Sequence, residues 1–216
     1  MRRISILFVI LALSSGAFAA EIGYTTTIPS TQANFTDSVS FAAFDTSLGA
    51  LTGITLSLSS NSDLTLDISN TGSTDPVSLY GEAGIRVMLG SPTGGDPLVI
   101  VFPSFLVGSA GAPYQIYVGT PYHRAGTAHD EVSGGVDESL FYLFTGSGDV
   151  TLPVTAKTSH TLTQDGTGLY SASLTGAADA TVSVLYTYTP SETPEPAAFL
   201  LLGSGLVGLS YWRRRA

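Results

Sequence analysis

Cysteine is absent from all 216 residues. No disulfide can staple the fold, and thiolate-built zinc or iron–sulfur sites are excluded. Positive charge is scarce as well. Lys and Arg total 8 against 17 Asp and Glu, and charged residues make up 12% of the chain, where a soluble domain has about 25%. A formal net charge of −9 argues against a surface that grips nucleic-acid phosphates. Tryptophan occurs once, at Trp212. The middle of the chain has no sustained 3.6-residue apolar period. Hydrophobic residues reach 44%, which excludes a disordered chain, and the length suits one domain with a proper core.

The two ends read as addresses rather than fold. Arg2 and Arg3 form a basic start, and Ile4 to Leu13 is a ten-residue, mostly apolar stretch. As a helix that stretch spans roughly 15 Å, too short for a bilayer core of about 30 Å. Ala17 and Ala19 supply the small residues that signal peptidase reads, which places a signal peptide over residues 1–19 and a cut after Ala19. The general secretory translocon is the expected route, in preference to twin-arginine export. At the other end, Pro194-Glu195-Pro196 precedes an uncharged run from Ala197 to Trp212, closed by Arg213-Arg214-Arg215. The prolines break any preceding structure. The sixteen-residue run reaches roughly 24 Å as a helix, with the arginines held on the cytoplasmic side of an inner membrane.

Pro194-Glu195-Pro196, the apolar run and the basic tip, in that order, resemble the PEP-CTERM sorting signal of Gram-negative bacteria. The resemblance covers about residues 191–216. It implies an exosortase as partner, a membrane-embedded enzyme that would cut near the Pro-Glu-Pro motif and release or transfer the protein. It also implies a transient inner-membrane stage, then a cell-surface or extracellular life beside exopolysaccharide and biofilm.

The domain between the addresses, residues 20–190, holds three cations (Arg86, Arg124, Lys157) and fifteen acids, a net charge of −12. Period-2 alternation recurs through it, the mark of strands with one wet face. Ile54, Leu56 and Leu58, then Leu64, Leu66 and Ile68, alternate with polar residues around Ser59-Ser60-Asn61-Ser62. That spacing predicts a β-hairpin over 53–69 with a turn at 59–62. Further strands are expected at Ile85–Leu89, Leu98–Phe102, Gln115–Val118, Leu140–Thr145, Val150–Thr155, Leu169–Thr175 and Val182–Tyr188. Pro153 suggests an edge strand or a bulge, and long loops are expected between Ser104 and Asp137. Eight to ten short strands predict an all-β fold, an antiparallel β-sandwich of jelly-roll-like form.

The segment from Phe44 to Leu56 (Phe-Asp-Thr-Ser-Leu-Gly-Ala-Leu-Thr-Gly-Ile-Thr-Leu) resembles the opening signature of the choice-of-anchor E family of exported bacterial domains. Phe144–Val150 and Val184–Tyr188 fit later parts of it in order. The resemblance implies a β-rich body with an exchangeable sorting tail, and it brings no established activity to carry over.

No catalytic set stands out. There is no Cys and no G-x-S-x-G elbow, and the three His residues are His123, His129 and His160. A secreted hydrolase using His123 and His129 is therefore the third choice. His123, His129, Asp130 and Glu131, with Asp137 and Glu138 beyond, form a weak candidate metal cluster on a loop. The six-residue His spacing fits no zinc helix, so Ca²⁺ would be the ion, and the plainer expectation is no cofactor. Tyr114, Tyr117 and Tyr122 are candidate carbohydrate contacts, because ring faces make sugar platforms. The sequence thus favours an exported, non-enzymatic surface or matrix protein first, and a lectin-like module second.

Overall fold

A computed structural model of the chain describes residues 19–72 and 75–191. Ala17, the sorting motif Pro194-Glu195-Pro196, the apolar run behind it and the arginines 213–215 lie outside the described residues. Ala19 is the first residue described and is exposed.

Among the described residues, ten strands are arranged in two sheets: β1 (Ala20–Gln32), β2 (Phe35–Ala42), β3 (Gly49–Asn70), β4 (Val77–Leu89), β5 (Val99–Val101), β6 (Ser104–Val107), β7 (Tyr114–Ile116), β8 (Tyr122–Gly135), β9 (Asp149–Asp165) and β10 (Tyr170–Pro190). The first sheet has the order β1-β10-β3-β8; the second has β2-β9-β4-β5, with β6 and β7 also paired to β4. Every ladder is antiparallel. With β5, β6 and β7 counted as one interrupted strand beside β4, this is the order in which a jelly roll alternates its strands between two sheets. Inner residues of both sheets, such as Leu56, Leu66 and Val184 from one and Leu79, Ile85 and Leu152 from the other, form one hydrophobic core. Each such side chain is worth about 1.5–3 kcal/mol of burial.

The expected hairpin over 53–69 is instead one continuous strand. Residues 54, 56, 58, 60, 62, 64, 66 and 68 share one face without a break in phase, and Ser60 and Ser62 occupy core-facing positions at 0% and 2% exposure. Polar residues that look like a turn are tolerated because β10 brings small partners to the same place. Ser62 pairs with Ala178, and Leu64 pairs with Gly176. Ladder pairing lapses at Asp179, and its side chain repairs the gap. Its carboxylate accepts the Asn61 backbone N–H at 2.7 Å and the Asn61 amide at 3.0 Å, while its carbonyl accepts the Ser60 hydroxyl at 2.7 Å. The two strands expected at 169–175 and 182–188 likewise merge into β10.

Three more expectations are corrected. Leu140–Thr145 is not a strand: Glu138–Phe144 is a 3₁₀ helix whose Asp137 side chain accepts the Ser139 N–H at 2.9 Å. Its apolar residues run together rather than alternating, and Phe144 alone is buried. The stretch 104–137 is not mainly loop, since it holds β6, β7 and the fourteen-residue β8. Pro153 lies in the interior strand β9, at a point just beyond the last β4 pair, Leu89–Val154, where its carbonyl accepts the Gly90 N–H at 2.8 Å.

The ladders also set direction. Ala20 pairs with Tyr188 and Gly49 with Pro190, so both ends of the body meet at one end of the first sheet. Asn70 pairs with Tyr170, Ile68 with Tyr122 and Val77 with Ile116, which defines the opposite end. From Tyr170 to Pro190 the extended chain covers about 65 Å.

Candidate functional site

That far end collects the tyrosines. β7 places Tyr114 beside Leu79, and the start of β8 places Tyr122 beside Ile68. Their rings meet edge to face with centroids 4.6 Å apart. Tyr114 is 47% exposed and Tyr122 is half-buried against the core. Tyr117 follows on a turn held by the Thr120 N–H and hydroxyl, which both donate to its carbonyl, at 3.2 and 3.1 Å. Gly119 supplies the positive φ of 79° that this turn needs. The Tyr117 hydroxyl donates to Gln115 Oε1 at 2.8 Å and leaves the ring 55% exposed. The structure thus joins Tyr114 to Tyr122 directly and sets Tyr117 on the same end.

Two amide side chains hold this end together. Asn70 Nδ2 donates to the carbonyls of Asp75 and Ile116 at 2.8 and 3.0 Å, and Asn70 Oδ1 accepts the Gly72 N–H at 2.8 Å. One residue therefore ties β3 and the start of the β3–β4 connection to β7. Gln164 Nε2 reaches the Gly168 carbonyl at 3.0 Å and shapes the β9–β10 turn. That turn leaves Leu169 68% exposed, and its carbonyl takes the Thr71 N–H at 2.8 Å. Leu169 and the exposed Val118 belong to this end, although the sequence singled out neither as a contact. The available signal was a Leu set between Gly168 and Tyr170 in a glycine-rich turn.

The metal candidates are spread out rather than gathered. They lie on a strand, not a loop, so the six residues from His123 to His129 extend over about 20 Å. His123 Nδ1 faces Asp67 Oδ1 at 2.7 Å, and His129 Nδ1 faces Asn61 Oδ1 at 3.1 Å. Asp130 points the other way, where its carboxylate accepts the Phe102 N–H at 2.7 Å. Glu131 donates its N–H to Asp130 Oδ1 at 2.9 Å. Among the described residues, no three His, Cys, Asp or Glu side chains converge as metal ligands would.

The His123–Asp67 pair has the form of the carboxylate–imidazole half of a nucleophilic set. It lies open on the sheet, 62% and 55% exposed, and among the described residues no hydroxyl hydrogen-bonds its other ring nitrogen. The inward side of β8 closes an edge of the second sheet. Asp130 satisfies the Phe102 N–H, and Arg124 donates to the Leu106 carbonyl at 2.6 Å while lying 4.5 Å over the Phe105 ring.

Among the described residues, ionisation departs from the ordinary at three places. The Ser47 N–H holds Asp45 below the usual carboxylate range, and the Ser139 side chain and N–H do the same for Asp137. Burial, helped by Tyr24, pushes the Tyr186 hydroxyl up to about 12.

Residues 192–215 match the PEP-CTERM protein-sorting motif. The chain is therefore that of an exported protein that passes through a membrane-anchored intermediate and is handled by an exosortase. No curated protein matches the chain. Among solved structures it is similar to the VP2 subviral particle of infectious bursal disease virus, with 12% identity and a TM-score of 0.22 over 79% of this chain and 38% of that one. It is also similar to the parasporin-2 toxin of Bacillus thuringiensis, with 14% identity and a TM-score of 0.19 over 80% of this chain and 69% of that one.

Proposed function

We propose that this is a non-enzymatic structural or adhesive protein of the cell surface or extracellular matrix, working beside exopolysaccharide in a biofilm. A signal peptide over residues 1–19 directs it to the translocon and is removed by signal peptidase. The domain over residues 20–190 acts outside, without a cofactor, and resembles the choice-of-anchor E bodies that carry exchangeable sorting tails. The observation that carries the reading is the sorting motif at residues 192–215, set directly behind a body whose last described residue is tied down. Ser191 donates its N–H to the Leu48 carbonyl at 3.0 Å and its hydroxyl to the Ser47 carbonyl at 3.1 Å. The spread-out histidines and the open His123–Asp67 pair support a body without catalysis.

The test is fractionation of exporting cells. The wild-type protein should leave the membrane and be recovered with the matrix polysaccharide. Recovery from the membrane fraction alone would overturn the proposal.

One observation favours a second reading, a glycan-binding module. Tyr114 and Tyr122 form an edge-to-face pair beside the exposed Tyr117. Aromatic faces of this kind accept the C–H surface of a sugar ring, while hydroxyl, amide and carboxylate groups around them bond to its hydroxyls.

A further inference from the structure

Ten large apolar side chains are exposed among the described residues, and four of them, Tyr114, Tyr117, Val118 and Leu169, belong to the far end. They come from two stretches of chain, 114–118 and the turn at 169, so only the topology gathers them. Asn70 and Gln164 fix the backbones that present them, which lowers the entropy lost when a ligand is bound. This end lies about 65 Å of extended strand from Pro190, where the sorting segment begins. It is the end of the body opposite the one where Ala20 and Pro190 meet.

Charge selects the occupant. The body carries −12, and Asp67, Asp75 and Asp165 stand on or beside the segments of this end. Of the three cations, Arg86 lies 5.7 Å from the Phe102 ring, away from this end, and Arg124 is committed to Leu106 and Phe105. Lys157 pairs with Arg86 in the β4–β9 ladder, far from the tip. A polyanionic glycan would meet repulsion here, whereas an uncharged one meets rings, hydroxyls and amides.

We propose that this tip, formed by Tyr114, Tyr117, Tyr122, Val118 and Leu169, docks an uncharged polysaccharide chain. The proposal rests on the glycan-binding reading and names its surface and ligand class.

Affinity electrophoresis of the full-length protein in detergent tests it, with hydroxyethylcellulose, neutral mannan or neutral dextran in the gel and alginate as the polyanionic comparison. Retardation is expected in at least one neutral gel and not in alginate. Tyr117→Ala and Leu169→Ser each replace exposed side chains, so the fold tolerates them, and each should weaken retardation at least tenfold. Tyr142→Ala, at an exposed ring on the 3₁₀ helix, should leave it unchanged. Retardation in alginate alone, in no neutral gel, or equally in the tip variants would overturn the proposal. Failure here is separable from failure of the matrix reading. If wild type and both tip variants are recovered equally with matrix polysaccharide, the tip proposal falls and the matrix role stands.

Discussion

At the scale of single residues, the buried hydroxyls carry the sharpest consequences. Tyr186 is fully buried and donates to the Ala42 carbonyl at 3.2 Å. Burial favours its neutral form, so its pKa rises from 10.0 to about 12 on folding. Its contribution to stability is whole below the unfolded value and is lost as pH rises through about 12. Tyr186→Phe should cost about 1 kcal/mol at neutral pH, for the lost hydrogen bond. It should also flatten the alkaline fall in stability between the two pKa values, read as melting temperature against pH. Ser60 and Ser62 make a second contrast. Ser60 Oγ donates to the Asp179 carbonyl, whereas Ser62 Oγ is buried without a partner. Ser60→Ala should cost about 1 kcal/mol, and Ser62→Ala should be neutral or stabilising by up to about 1 kcal/mol. Equal losses from both in urea titrations would show that the Ser62 hydroxyl is satisfied.

At the scale of elements, the long strands depend on close backbone contact. Gly81 in β4 has a φ of 140°, and a Cβ there would collide with the Thr161 carbonyl oxygen of β9. Gly81→Ala should therefore destabilise by about 2–4 kcal/mol through strain and a displaced ladder. Gly126→Ala on β8 meets open space and should stay within about 0.5 kcal/mol in the same urea titration. Alternation at 54–58 and 64–68 was enough to read strands and their buried faces. It was not enough to read their length. Ser60, Asn61 and Ser62 have turn-forming chemistry, and only their pairing with the small residues of β10 shows that they continue the strand. The 3₁₀ helix at 138–144 is hard to read from sequence because a bulky apolar run suits a strand, while the Asp137 cap that starts it is a two-residue signal. Tyr114 and Tyr122 were legible as a cluster, being eight residues apart. Leu169 reaches the same end only through the β3–β10 and β4–β7 ladders, which no local pattern encodes.

At the scale of the whole molecule, the order of strands and the order of addresses work on each other. β10 is the last strand, yet it lies between β1 and β3 in the first sheet. The sheet closes only when the chain up to Pro190 is available, and the motif at 192–215 follows at once. The folded body thus presents the sorting segment from the end where Ala20 and Pro190 meet. Replacing Pro194-Glu195-Pro196 with Ala-Ala-Ala, or deleting Arg213–Arg215, should leave the body folded, because the described ladders end at Pro190. Either change should hold the precursor in the membrane fraction or missort it. Intact mass of the extracellular protein is the deciding measurement. The wild-type mass should lack the apolar run and basic tip, and a mass that still includes residues 197–216 would overturn cleavage near Pro-Glu-Pro. If the motif variant reaches the medium with residues 197–216 removed, recognition does not depend on those three residues.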